Sequence, residues 1–171
     1  MKGYVHVYTG NGKGKTTAAF GLALRAAGAG KKVFIGQFVK GKPYSENLAI
    51  SNCLRNITVK QYGLDCFIIK DPSQEDAKAA EKGLKEIKKI VQKGQHTLVV
   101  LDEMNIALNY KLVQTDDVIE LIKNKPDHVE LVITGRYAPA EIIEIADLVT
   151  EMKEIKHYYQ QGIEARKGIE Y

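Results

Sequence analysis

Residues 9–16, Thr9-Gly-Asn-Gly-Lys-Gly-Lys-Thr16, are of the types that hold an anion through the backbone. Gly10, Gly12 and Gly14 permit positive φ and leave no Cβ between a main-chain amide and a ligand. An apolar segment, residues 4–8, leads in, and an alanine-rich helical segment follows. Amides freed in such a turn point at an anion, and the dipole of the following helix adds to the attraction. In this pattern Lys15 reaches the β- and γ-phosphates of a nucleotide and the Thr16 hydroxyl ligates Mg²⁺. The strict pattern begins with glycine, and Thr9 stands there instead. The competing reading is a glycine-rich turn that binds nothing. Gly14-Lys-Thr16 between a strand and a helix has little other use, so phosphate binding is the reading carried forward.

A second constellation supports the first. Residues 97–101, Thr-Leu-Val-Val-Leu, run into Asp102-Glu103. An apolar strand ending in acids delivers a carboxylate beside a phosphate loop, where it binds Mg²⁺ directly or through water. Many strands end in Asp, so this signal is weak alone and strong beside residues 9–16. Residues 129–134 deliver Gly135-Arg136 to the same edge. Arg136 is read as a bidentate contact to a phosphate oxygen in preference to a structural ion pair. Lys40 and Lys42 follow the second apolar strand. They either meet phosphate or another acidic group, or are two solvated lysines.

The elements that must position these groups follow from periodicity. Strands are read at 4–8, 33–39, 57–62, 97–101, 129–134 and 148–152. Helices are read at 16–29, 45–54, 73–93, 104–110, from Thr115 or Asp116 to 123, and from Pro139 to 146. Ser73 and Asp76 have the spacing of a capping box. Continuous apolar strands joined by helices imply an α/β fold, a mostly parallel central sheet with helices on both faces. Ligands of such sheets gather at the carboxyl ends of the strands.

The chain of 171 residues reads as a single nucleotide-binding domain, 1–171, large enough for a substantial core. A net charge of +4 suits an anionic substrate and does not argue for nucleic acid. Cys53 and Cys66 form no C-x-x-C pair and read as reduced thiols of a cytoplasmic protein. No apolar run is long enough to span a membrane, and no signal peptide is read before the first strand.

Several segments resemble one family in order: residues 9–21, Gln37-Phe-Val-Lys-Gly41, Val99-Val-Leu-Asp-Glu103, Ile133-Thr-Gly-Arg136, Ile145-Ala-Asp-Leu-Val149, Ile155-Lys-His157 and residues 162–171. Over nearly its whole length the chain is similar to the P-loop ATP:corrinoid adenosyltransferases. The resemblance implies a RecA-like P-loop NTPase fold, a homodimer, and a flavoprotein-type reductant as partner. It implies transfer of the 5′-deoxyadenosyl group of MgATP (or MnATP) to Co(I) of a reduced corrinoid, the co-substrate, with tripolyphosphate leaving. On that resemblance the ATP-binding residues are Thr9, Gly10, Asn11, Gly12, Lys13, Gly14, Lys15, Thr16, Thr17 and Arg136. Lys15 and Glu103 are catalytic, and Thr16, Asp102 and Glu103 hold the metal. Better-known members carry Gly-Phe-Thr-Trp after the third strand, near the corrinoid, and an N-terminal extension over the site. Here residues 63–69 read Gly-Leu-Asp-Cys-Phe-Ile-Ile and the chain has no tryptophan, so Phe67 is the aromatic assigned to the corrinoid. An ATPase or small-molecule kinase, or a non-catalytic corrinoid carrier, are the alternatives.

Overall fold

The computed structural model describes residues 2–42, 44–64 and 72–171. Along the chain these form β1 (Val5–Thr9), α1 (Lys15–Gly28), β2 (Val33–Gln37), α2 (Ser45–Cys53), β3 (Ile57–Gln61), α3 (Gln74–Lys93), β4 (Leu98–Asp102), α4 (Met104–Asn109), α5 (Thr115–Lys123), β5 (Glu130–Thr134), α6 (Ala140–Ile145) and β6 (Leu148–Glu151). A single 3₁₀ turn, Tyr158–Gln161, follows in the tail.

The strands form one six-stranded sheet in the order β3-β2-β4-β5-β1-β6. Every pairing is parallel, so the expectation of a mostly parallel sheet becomes an entirely parallel one. Successive side chains of a strand point to opposite faces, and both faces of the central strands β2, β4 and β5 are covered, while the edge strand β6 is exposed. Phe34, Val99, Leu101, Leu131 and Ile133 face Leu84, Ile87 and Val91 of α3 and Val118 and Leu121 of α5. Val33, Ile35, Leu98, Val100 and Val132 face Ala19 and Ala23 of α1 and Ile50 of α2. The small alanines let α1 lie close to the sheet behind the glycine-rich loop, which makes its N-terminus part of the site.

The start of α3 carries a local signal. Ser73 Oγ accepts from the Asp76 amide at 3.2 Å and Asp76 returns a bond to the Ser73 amide at 2.9 Å, the reciprocal cap read from the sequence. Most boundaries shift by about one residue, and three have an identifiable cause. β2 stops at Gln37 rather than residue 39, because Val39 lies in the left-handed region at φ 60°. α1 keeps Gly28 as its last residue, and the reversal falls at Gly30, φ 76°. Gln114 precedes α5 and gives no side-chain cap, so Thr115 is the first helical residue and neither Thr115 nor Asp116 caps.

The registers are what matter for chemistry. Gln37 of β2 lies beside Asp102 of β4, and Tyr8 of β1 beside Thr134 of β5. The carboxyl ends of β1, β2, β4 and β5 therefore converge on one edge.

Candidate active site

β1 ends at Thr9, and the loop after it is shaped by two left-handed glycines, Gly10 at φ 94° and Gly14 at φ 119°. Gly12 does not adopt positive φ, which corrects the expectation that all three would. Its constraint is a close approach: a Cβ there would stand 2.8 Å from the carbonyl oxygens of Met152 and Lys153. The Gly12 amide donates to Met152 O at 2.7 Å, so the loop is pressed against the chain leaving β6. Lys15 opens α1 and folds back into the loop, donating to Gly10 O at 2.7 Å and Gly12 O at 2.6 Å. Burial holds its ammonium below the ordinary lysine range, and Arg136 adds to the effect. A cation held there by two carbonyls is available to an anion that enters the loop.

Thr9, where the strict pattern has glycine, serves as a joint: its hydroxyl accepts from the Ala138 amide at 3.3 Å and ties the loop to the segment after β5. Asn11 and Thr17 lie exposed at the loop's mouth. The Lys13 ammonium is taken up by the tail, donating to Tyr158 Oη at 2.9 Å, Ile169 O at 3.0 Å and Glu170 Oε1 at 2.8 Å. The bonds from Lys13 and Tyr158 hold the Glu170 carboxyl well below the usual range. The structure thus points Lys13 outward onto the tail, while Lys15 points inward.

Asp102 is the centre of the site. It is 0 % exposed and accepts four hydrogen bonds: from Thr16 Oγ1 at 2.9 Å, Thr134 Oγ1 at 2.7 Å, Gln37 Nε2 at 3.1 Å and Lys40 Nζ at 2.9 Å. Burial alone would raise this carboxyl; the Lys40 charge and these bonds reverse the effect and hold it below the ordinary range. Gln37 is itself held, its amide oxygen accepting from Asn47 Nδ2 at 2.8 Å. Of these partners, Gln37 and Thr134 have no role readable from local sequence. A polar residue at the carboxyl end of an apolar strand was the available signal in both cases.

Glu103 sits at φ 59°, where non-glycine residues are uncommon, and its amide donates to Thr134 Oγ1 at 3.0 Å. Its ion-pair contact among the described residues is Lys40 Nζ at 3.8 Å. Burial and the Asp102 charge raise the Glu103 carboxyl above its ordinary range. Lys40 accordingly meets an acidic group, the protein's own, and is not a solvated lysine. Arg136 is exposed, forms no ion pair with a described residue, and follows Gly135 at φ 129°. Phe67 and Cys66 lie outside the described residues.

Thr16, Asp102 and Glu103 offer only oxygens. Two carboxylates and a hydroxyl suit Mg²⁺ or Mn²⁺, which complete their shells with water and substrate phosphates. Thr16 spends its proton on Asp102, which leaves its oxygen an acceptor, and Lys40 Nζ donates to it at 3.2 Å. A glycine-shaped loop, an inward lysine and this oxygen set together fit a polyphosphate carried with a divalent cation.

The family model described as ATP:corrinoid adenosyltransferase BtuR/CobO/CobP matches residues 1–171. The chain belongs to the ATP:corrinoid adenosyltransferase family. That family's activity is the ATP-dependent transfer of an adenosyl group to a corrinoid. Among its members, the corrinoid adenosyltransferase of Pseudomonas aeruginosa is 37% identical over 171 residues, covering 99% of this chain and 84% of that one. The corrinoid adenosyltransferase of a Sinorhizobium species is 36% identical over 181 residues, covering 99% and 81%. The protein of that name from Escherichia coli K12 is 33% identical over 178 residues, covering 99% and 86%. Among the described residues no helix is long and apolar enough to cross a membrane.

Proposed function

We propose that the protein binds ATP with a divalent cation in the loop at residues 9–17 and transfers its 5′-deoxyadenosyl group to the Co(I) of a reduced corrinoid. The bond between cobalt and C5′ forms as the C5′–O bond breaks, and the electron pair leaves with tripolyphosphate. Such a reaction asks the protein for no base to activate water. It asks for a fixed alignment of C5′ and for charge stabilisation on a leaving group of about four negative charges.

The observation that carries this reading is the pairing of the inward Lys15 with the Asp102–Thr16 contact, in a chain matched to the family along its whole length. Lys15 and the loop amides would stabilise charge as it develops on the phosphates. Thr16, Asp102 and Glu103 would hold the cation, and Asp102 would also orient Thr16 through its hydroxyl. When bound, the cation would neutralise part of the leaving group's charge. Arg136, exposed and without a paired acid among the described residues, would reach phosphate or ribose. Lys13 and Thr17 would add to the mouth of the cradle once the tail releases Lys13. Phe67 would form the corrinoid wall. A homodimer, a flavoprotein-type reductant and a cytoplasmic setting complete the reading.

The test is an anaerobic assay with MgATP and chemically reduced cobalamin, followed by the visible spectrum and by phosphate product analysis. Tripolyphosphate formed only when reduced corrinoid is present supports the proposal. ADP and orthophosphate as products would assign the site to an ATPase or kinase. Binding of ATP or corrinoid without turnover would assign it to a carrier.

A further inference from the structure

Asp102 is fully buried, and three of its four hydrogen-bond donors are neutral. Among the described residues its ion-pair partner is Lys40, at 2.9 Å. The same ammonium lies 3.2 Å from Thr16 Oγ1 and 3.8 Å from Glu103 Oε1. It therefore touches or faces each of the three side chains that offer oxygens to a divalent cation. The geometry at Thr16 sharpens the point. Its hydroxyl proton goes to Asp102 Oδ1, so the lone pair that accepts from Lys40 is the kind a metal would take. The position is built. Val39, a β-branched residue at φ 60°, reverses the chain at the end of β2 and turns Lys40 back toward the sheet edge. The Tyr44 ring closes the outer side, its centroid 5.3 Å from the ammonium.

We propose that Lys40 is a tethered cation: it holds the divalent ion's seat while no nucleotide is bound, and gives up the seat when the ion arrives on ATP. The proposal rests on reading Thr16, Asp102 and Glu103 as the cation-holding side of the nucleotide site. An ammonium and a divalent ion cannot share those oxygens, because like charges a few ångströms apart repel strongly in a partly desolvated site. The nucleotide-free protein therefore has little affinity for the free ion. ATP brings the ion together with phosphate charge, which makes the exchange favourable. The displaced ammonium swings on its flexible stem toward the phosphates and places a further positive charge beside the leaving group. Lys40 thus spares the buried Asp102 from standing unpaired in one state and joins the phosphate-binding set in the other.

The experiment is a Mn²⁺ titration of the whole chain, read by electron paramagnetic resonance, without nucleotide and again with ATP but no corrinoid. Lys40→Met should bind Mn²⁺ at least about tenfold tighter than the natural protein in the absence of nucleotide, and Mn²⁺ should raise its Tm. The natural protein should show weak binding and no Tm shift until ATP is added. Lys40→Arg keeps the charge and should keep the weak binding. Should Lys40→Met fold poorly, Lys40→Gln carries the same expectation. A neutral variant that binds free Mn²⁺ no tighter than the natural protein would overturn the proposal. So would Lys40→Arg behaving as the neutral variants do, or a natural protein that binds Mn²⁺ equally well with and without ATP. If ATP fails to bring Mn²⁺ to any of the proteins, the cation-site reading itself falls, and this proposal with it.

Discussion

Thr134→Val isolates one side chain on which the active-site geometry depends. Thr134 is 0 % exposed at the end of β5, donates to Asp102 Oδ1 at 2.7 Å and accepts from the Glu103 amide at 3.0 Å. Valine keeps the shape and removes both bonds. A hydrogen bond to a charged group is worth about 1.5–3 kcal/mol, and an orphaned buried amide costs a further ~1–3 kcal/mol. The added buried methyl returns about 0.8 kcal/mol. The net loss is then roughly 2–5 kcal/mol. For a chain of 171 residues, where 1 kcal/mol moves Tm by about 2–4 °C, Tm should fall by at least ~4 °C. Urea denaturation gives the free energy, and thermal unfolding gives Tm. Thr134→Ser restores the hydroxyl and should recover most of the loss. Because Asp102 also holds Thr16 at 2.9 Å, ATP affinity should weaken in the valine variant and return in the serine variant. A valine variant within about 0.5 kcal/mol of the natural protein would refute the claim that these two bonds hold the site together. So would a serine variant that recovers nothing.

Other perturbations test neighbouring parts of the argument. Lys15→Ala should lower adenosyl transfer at least about a hundredfold while Tm stays within a few degrees; transfer near the natural rate would remove the phosphate-cradle reading. Gly12→Ala sets a methyl 2.8 Å from the Met152 and Lys153 carbonyls, so nucleotide binding by calorimetry should weaken at least about tenfold. The Asp102 carboxyl lies below its unfolded range, so its stabilisation is full above that range and is lost as pH falls through the folded value. Glu103 lies above its range, so its contribution is present at low pH and is lost as pH rises through the folded value. Glu103→Gln should therefore raise the nucleotide-free Tm at pH 7, with the difference closing toward pH 4, while it weakens binding of ATP with its cation. A lower Tm at pH 7 would mean that the Glu103 charge is stabilising in the folded protein.

Backbone demands and periodicity are local properties, and they were legible. The glycines, Lys15 and Thr16 of the loop, the acids at the end of β4, the six strands and the capping box at Ser73 could all be read along the chain. Each depends on a few consecutive residues with characteristic φ, spacing or side-chain reach. The role of Gly12 was not local: its methyl-free surface answers to Met152 and Lys153, far along the chain. Lysines were the least legible, because a four-carbon stem reaches many partners and nothing nearby in sequence chooses one. Tertiary structure sent Lys13 to Glu170 and Lys40 to Asp102. It also assembled the shell of Asp102 from α1, β2, the loop after β2, and β5. Those segments meet only because the strand order and parallel registers bring their ends together. A carboxylate with no access to water must then find every hydrogen bond within the protein, and that requirement is settled by the fold rather than by any single stretch of chain.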